Sequence, residues 1–123
     1  FTKRYISIAK LYSENLSNKI TKPWIIHTQR DVFHNYVIRV KPSHRNQIMD
    51  LLLKEGVETK IHYPIPLHLQ ECSSNLGYKE GDIPNVENYS MSMISLPIYP
   101  LLKNEEIEFV IETLNNIIKK LKI

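Results

Sequence analysis

The sequence predicts an α+β fold, a two-layer sandwich in which a small, mostly antiparallel sheet of about three strands is packed by helices. Three features lead there. Helical periodicity occupies both ends of the chain, period-two alternation recurs in separate stretches between them, and proline or glycine marks most changes from one pattern to the other.

Residues 1–18 carry Tyr5, Ile8, Ala9, Tyr12 and Leu16 on one helical stripe over a basic and polar remainder, and we read them as an amphipathic connecting helix. Thr21-Lys22-Pro23 ends it. Trp24, Ile25 and Ile26 with the polar hinge from His27 to Asp31 predict a short strand and turn. From Val32 to Val40, the residues His34, Tyr36, Ile38 and Val40 alternate with Phe33, Asn35, Val37 and Arg39. The aromatic and β-branched content makes this the expected central strand.

Pro42 and Ser43 start a helix with Ser43 as its expected cap, and Ile48, Leu51 and Leu52 run at helical spacing to Gly56, which suits a left-handed helix end. In the next stretch Val57, Thr59 and Ile61 fall on one face and Glu58, Lys60 and His62 on the other, as in a half-buried strand. Pro64 and Pro66 stop it by removing backbone donors and holding Tyr63 and Ile65 extended. A rigid loop with a polar tip is expected there.

Glu71 to Asp82, mixed from serine, glycine and charge, reads as a surface loop. Pro84 opens a short helix with Val86, Tyr89 and Met93 on one stripe. Ile94, Leu96 and Ile98 then alternate with Ser95, Pro97 and Tyr99 in a third strand, placed at an edge because Pro97 cannot donate to a ladder. The last helix is expected to be capped by Asn104, with Glu105, Glu106 and Glu108 near its start and Lys119, Lys120 and Lys122 near its end, each sign matched to the helix dipole. Ile107, Val110, Ile111, Leu114, Ile117, Ile118 and Leu121 form its broad apolar face.

At 123 residues, 42% hydrophobic and 24% charged, the chain has the length and composition of one globular domain. A net charge of +3 with scattered lysines and arginines argues against nucleic acid as a partner. No apolar run of membrane-spanning length and no signal peptide pattern is present, and one cysteine, Cys72, cannot close an internal disulfide; a cytoplasmic setting is expected. The chain begins at Phe1 and is already helical in pattern there, so we expect a piece of a larger protein.

Among candidate chemistries, a metal site finds no support: His62 and His68 are six residues apart and His27 and His34 seven, neither a recognised ligand spacing. Cys72 lies four residues after His68, too little to define a nucleophile and base, and we read its thiol as incidental. Lys60 reads as a solvated lysine rather than a carbonyl-binding one, and with three glycines in the chain there is no phosphate-cradling loop. His34 and Tyr36 read as packed, hydrogen-bonded strand residues. His62, Tyr63 and His68 are the best candidates for a binding site, because they sit where a strand gives way to a stiff loop.

Five stretches, VFHNYVIRV (32–40), GVETKIHYPIPLH (56–68), GDIP (81–84), ENYS (87–90) and SLPIYP (95–100), resemble in order and spacing the carboxy-terminal region of the DegT/StrS-type (DegT/DnrJ/EryC/StrS) sugar aminotransferases, and RYISIAKLY (4–12) resembles the helix that enters it. Val57 stands where isoleucine is more usual. The resemblance implies the small domain of a fold type I pyridoxal phosphate enzyme, a homodimer that moves an amino group, usually from glutamate, to a nucleotide-linked keto sugar. It also implies that the cofactor's lysine and most phosphate contacts lie in a large domain outside these residues. The chain alone is then expected to bind no cofactor and to be inactive, with no catalytic residue of its own. By the same resemblance His62 and Tyr63, and after them His68, are the substrate-binding residues of one cleft wall. Two alternatives stay open: a sugar dehydratase of the same fold, which has histidine in place of that lysine, and a stand-alone binding module.

Overall fold

A computed structural model describes all of residues 1–123. Helix α1 (Thr2–Asn15) is followed by strand β1 (Tyr36–Arg39), helix α2 (Pro42–Lys54), two 3-10 turns (Leu67–Leu69 and Glu71–Leu76), helix α3 (Pro84–Ser92), strand β2 (Met93–Leu96) and helix α4 (Asn104–Lys120). The result is α+β, with helices packed around a two-stranded antiparallel sheet.

The sheet is smaller than expected, and hydrogen bonds account for its size. β1 and β2 pair with Tyr36 opposite Leu96, Val37 opposite Ser95 and Ile38 opposite Ile94. Each is flanked by one isolated bridge, Thr21 to Arg39 beside β1 and Lys60 to Ser95 beside β2. The expected strand at 57–62 is thus reduced to Lys60. The amide of Val57 is committed to closing α2, and Pro64 and Pro66 have no amide to offer. β1 is likewise shorter than Val32–Val40, because the Asp31 carboxylate accepts the Phe33 amide at 3.0 Å and Phe33 turns left-handed with φ at 51°. That turn breaks the alternation, so Phe33 and Tyr36 are both buried with rings 6.2 Å apart, while His34 is exposed rather than packed. β2 is not an edge at Ser95. Pro97 lies beyond its last residue, so the missing donor costs the ladder nothing.

α1 and α4 run side by side in the same direction. Arg4 near the start of α1 donates to the Leu102 carbonyl and, at 3.1 Å, to the Asn104 side chain. Near the other end, Asn115 accepts the Ser17 amide at 2.8 Å and donates to the Asn15 carbonyl at 2.9 Å, satisfying groups left open where α1 stops. The apolar stripes read from the sequence are the ones buried: Ile8, Ala9, Tyr12 and Leu16 from the first helix region, and Ile107, Val110, Leu114, Ile117 and Ile118 from α4. Ile48 and Leu52 of α2 and Ile38, Ile94 and Leu96 of the sheet complete the cluster.

Three helix details differ from expectation. Proline at the first turn sets α2 to begin at Pro42, so Ser43 lies inside the helix and caps nothing. Asn104 is the first residue of α4 rather than its cap; Glu106 instead reaches back to the Lys103 amide at 3.1 Å. In α3 the expected stripe is exposed at Val86 and Tyr89, and Ser90 and Ser92 are buried. The Arg45 guanidinium takes the Ser90 carbonyl at 2.9 Å, which turns that face of α3 toward α2. Trp24 to Ile26 form no strand and lie exposed, with a turn closed from Gln29 to the Ile26 carbonyl. The loop from Glu71 to Asp82 is largely exposed, as its composition implies, although its first half coils into a 3-10 turn that buries Ser73.

Candidate functional site

The candidate stretch is launched by the end of α2. Gly56 takes φ of +85°, its amide bonds the Leu53 carbonyl at 2.9 Å and the Val57 amide bonds the Leu52 carbonyl at 2.9 Å, a Schellman closure in which Val57 and Leu52 are both buried. From there the alternation holds in side chains even though only one bridge forms: Val57 is buried, Thr59 and Ile61 are half-buried, and Glu58 and Lys60 are exposed. Lys60 and Ser95 exchange two backbone hydrogen bonds, at 3.2 and 2.7 Å, which fixes the register of the stretch against β2.

Period-two geometry then sets what meets what. Lys60 and Ser95 are direct partners, and His62, two residues on, lies on the same face and reaches Ser95 diagonally. The His62 Nδ1 lies 2.9 Å from the Ser95 Oγ. The adjacent Tyr63 ring stands edge-on to the imidazole at 5.5 Å and is 70% exposed. His62, Lys60 and Ser95 border a cleft of about 670 Å³ that runs on to Tyr99, Glu106 and Phe109.

His68 lies elsewhere. It is 8% exposed, its Nε2 is 3.4 Å from a carboxylate oxygen of Glu87, and its ring stands edge-on to Tyr78 at 6.0 Å. Glu87 also accepts the amides of Gly81 at 2.6 Å and Ile83 at 3.0 Å. The Gly81 hydrogen bond is the largest cause holding this carboxylate below its usual range, joined by Ile83 and His68 and partly opposed by desolvation. Neither Tyr63 nor His68 lines the cleft with His62. Sequence reading did not single out Ser95, Tyr99 or Phe109. Only the strand register, which joins residues far apart in the chain, gives Ser95 its place.

The cleft is chemically mixed. It combines an imidazole, an ammonium, carboxylates from Glu58, Glu105 and Glu106 and the rings of Tyr99 and Phe109, a mixture suited to a polyhydroxylated molecule. Ser95 and His62 do not form a nucleophile relay: Ser95 is 5% exposed, and no carboxylate is hydrogen-bonded to the imidazole. No three His, Cys, Asp or Glu side chains converge in metal-binding geometry, and Cys72 is exposed with no histidine bonded to it. No helix is long and apolar enough to cross a membrane.

Comparison with known proteins gives this geometry a setting. The profile of the DegT/DnrJ/EryC1/StrS aminotransferase family matches residues 1–115. A dTDP-3-amino-3,6-dideoxy-alpha-D-galactopyranose transaminase of Aneurinibacillus thermoaerophilus is 35% identical over 109 residues, which is 88% of this chain and 29% of that enzyme. The crystal structure of S. venezuelae DesV superposes with a TM-score of 0.88 at 26% identity, over 94% of this chain and 31% of that one. A putative sugar aminotransferase of Streptococcus pneumoniae, Spr1654, in its PLP form superposes with a TM-score of 0.86 at 27% identity, over 98% of this chain and 32% of that one. The chain therefore spans a little under a third of the length of these relatives.

Proposed function

Because this chain belongs to the DegT/DnrJ/EryC1/StrS aminotransferase family, we propose that it is the carboxy-terminal small domain, residues 1–123, of a pyridoxal phosphate enzyme. That enzyme transfers an amino group from glutamate to a nucleotide-linked keto sugar, works as a homodimer in the cytoplasm, and serves surface polysaccharide or amino-sugar biosynthesis. Residues 1–18 connect the domain to the rest of its subunit. The observation that carries the reading is the agreement of almost the whole chain, in sequence and in fold, with about one third of sugar aminotransferases.

Within that enzyme the chain supplies a wall of the active-site cleft. His62 is held against the sheet through Ser95, and Tyr63 projects beside it with most of its ring open. Their part is to hold the sugar by hydrogen bonds and an aromatic face, in an orientation that raises the rate of a reaction carried by other residues. His68 has a lesser part. It is buried against Glu87 and lies outside the cleft that His62 borders.

The cleft does not fit the cofactor itself. Its one glycine, Gly56, is used to close α2, and the helix start that borders it is α4, where Glu105 and Glu106 would oppose a phosphate. Lys60 is solvent-exposed, without the desolvation that would make it a carbonyl-binding amine.

The test is amino transfer from glutamate to keto nucleotide-sugars by the whole protein that carries this chain. His62→Ala and Tyr63→Ala are expected to lower kcat/KM by up to about 100-fold while the fold is kept. Unchanged kinetics in both variants would remove the wall assignment. A histidine in place of the cofactor's lysine upstream, with sugar dehydration and no amino transfer, would replace the reaction. A native gene of about this length, with no large domain, would leave a binding module. Mixing the isolated chain with pyridoxal phosphate is expected to give no stoichiometric absorbance band; a band abolished by Lys60→Ala would overturn the division of labour.

A further inference from the structure

Ser95 is held on both sides at the cleft. Its backbone is paired on both sides, with Val37 through the β1–β2 ladder and with Lys60 through the isolated bridge, and it is 5% exposed. We propose that Ser95 is a positioning residue that locks the neutral His62 imidazole in its Nε2–H tautomer, so that His62 faces the cleft as a hydrogen-bond donor. The proposal deepens, and rests on, the reading of His62 as a substrate-positioning residue.

The assignment follows from counting protons. A serine hydroxyl carries one proton and accepts through its lone pairs, whereas a neutral imidazole donates from one nitrogen and accepts at the other. The Ser95 Oγ has a single hydrogen-bond partner, the His62 Nδ1 at 2.9 Å. If Nδ1 held the ring proton, the hydroxyl would receive it, and its own proton would be left buried without an acceptor, which folded proteins avoid. With the hydroxyl donating to Nδ1, the buried donor is satisfied and the ring proton resides on Nε2. His62 lines the cleft, and with Nδ1 engaged by Ser95, Nε2 is the ring nitrogen left for a ligand there.

This fixes what His62 can recognise. An Nε2–H pairs with an acceptor oxygen of a hydroxyl, carbonyl or phosphate, and that nitrogen has no free lone pair with which to take a proton from the substrate. It orients, and it is not the base.

The experiment is an imidazole nitrogen–proton correlation map of the uniformly 15N-labelled chain with its histidines neutral. The native chain is expected to show His62 protonated at Nε2, with Nδ1 shifted as a hydrogen-bond acceptor. Ser95→Ala is expected to bring the two nitrogen shifts toward each other as the tautomers exchange, and Ser95→Thr, which keeps the hydroxyl, to restore the native pattern. An Nδ1–H signal in the native chain would overturn the proposal, as would a Ser95→Ala spectrum indistinguishable from the native one. Should the alanine variant unfold, which the backbone amide map reports, the native tautomer alone decides. No substrate enters the measurement. An Nδ1–H result therefore sinks the tautomer and leaves amino transfer standing, while kinetics indifferent to His62 sink the wall and leave the tautomer.

Discussion

Leu114 and His68 are both buried, but Leu114 belongs to a continuous apolar cluster drawn from α1, α2, α4 and both strands, whereas His68 rests on one carboxylate and one aromatic edge. The contrast extends to their surroundings. The helical side of the domain is held by area removed from water, a force that is non-directional and shared among many side chains. The segment from Glu58 to Ile83 is held mainly by directional links, among them the Lys60–Ser95 bridge, His62 on Ser95, and Glu87 on Gly81, Ile83 and His68. A scaffold of the first kind keeps its shape when a surface group changes. A segment of the second kind can be re-aimed by a single residue, which suits the part of a domain that meets a ligand.

The contrast breaks most visibly in the core. Leu114→Ala is expected to cost about 2–5 kcal/mol, from lost burial plus the cavity left in a region with no solvent access. Denaturant unfolding with a fluorescence or circular dichroism readout checks it. A variant whose midpoint matches the native chain would show that the cluster is looser than its burial implies.

Alkaline pH probes the same core by another route. Tyr12 is raised well above its ordinary value of 10.0 by burial first and then by Tyr36 and Tyr99, and Tyr36 is raised by burial, partly opposed by its hydrogen bond to Ser13. A group whose folded pKa is raised contributes stability that is complete below the unfolded value and is lost as pH climbs toward the folded one. Thermal midpoints should therefore hold up to about pH 10 and fall beyond it. Tyr12→Phe, which gives up the 2.7 Å hydrogen bond to the Pro97 carbonyl, should flatten that fall while lowering stability at neutral pH. An unchanged alkaline slope in this variant would show that other groups control it.

Gly56 stands at the border between the two regions, ending α2 and starting the polar segment. A β-carbon there would meet nothing within 4 Å, so the cost of Gly56→Ala comes from the left-handed backbone at φ of +85° alone, about 1 kcal/mol. The melting temperature should drop modestly. A shift of the His62 and Ser95 signals beyond that drop would show that the helix end also sets the register of the segment.

Much of the core was legible in the sequence because helical stripes are local: Ile8, Ala9 and Tyr12 in α1 and Ile107, Val110, Leu114, Ile117 and Ile118 in α4 are buried as their spacing requires. Strand extents were not legible. Whether Val57 to His62 forms a ladder depends on which amides are already committed, and the Schellman closure at Gly56 takes one before the strand begins. The same holds for Phe33, whose turn depends on the Asp31 side chain rather than on period. The candidate stretch could be found from its alternation and prolines, and the five ordered stretches from 32 to 100 pointed to the family. The difference between His62 and His68 could not be found that way, since their partners, Ser95 and Glu87, come from elements that meet only in the folded chain.

The smallest expected effect separates the two regions most sharply. Glu87 accepts two amides and faces His68, so its carboxylate is favoured ionised in the folded chain. A carboxylate with a lowered folded pKa contributes stability that is present above the ordinary value of 4.5 and is lost as pH falls through the folded value. The links lost on protonation are those of the turn at Gly81 and Ile83 and of His68, none of which belongs to the apolar cluster. Acidification below about pH 4.5 should therefore quicken amide exchange from Tyr78 to Ser90 before it touches α1 or α4. Glu87→Gln should reproduce that local opening at neutral pH, since an amide in the carboxylate's place cannot accept both backbone protons with the same charge-assisted strength. Exchange that quickens uniformly along the chain, in acid or in the variant, would mean that the polar segment and the core open as one unit and that the contrast drawn between them is not a mechanical one.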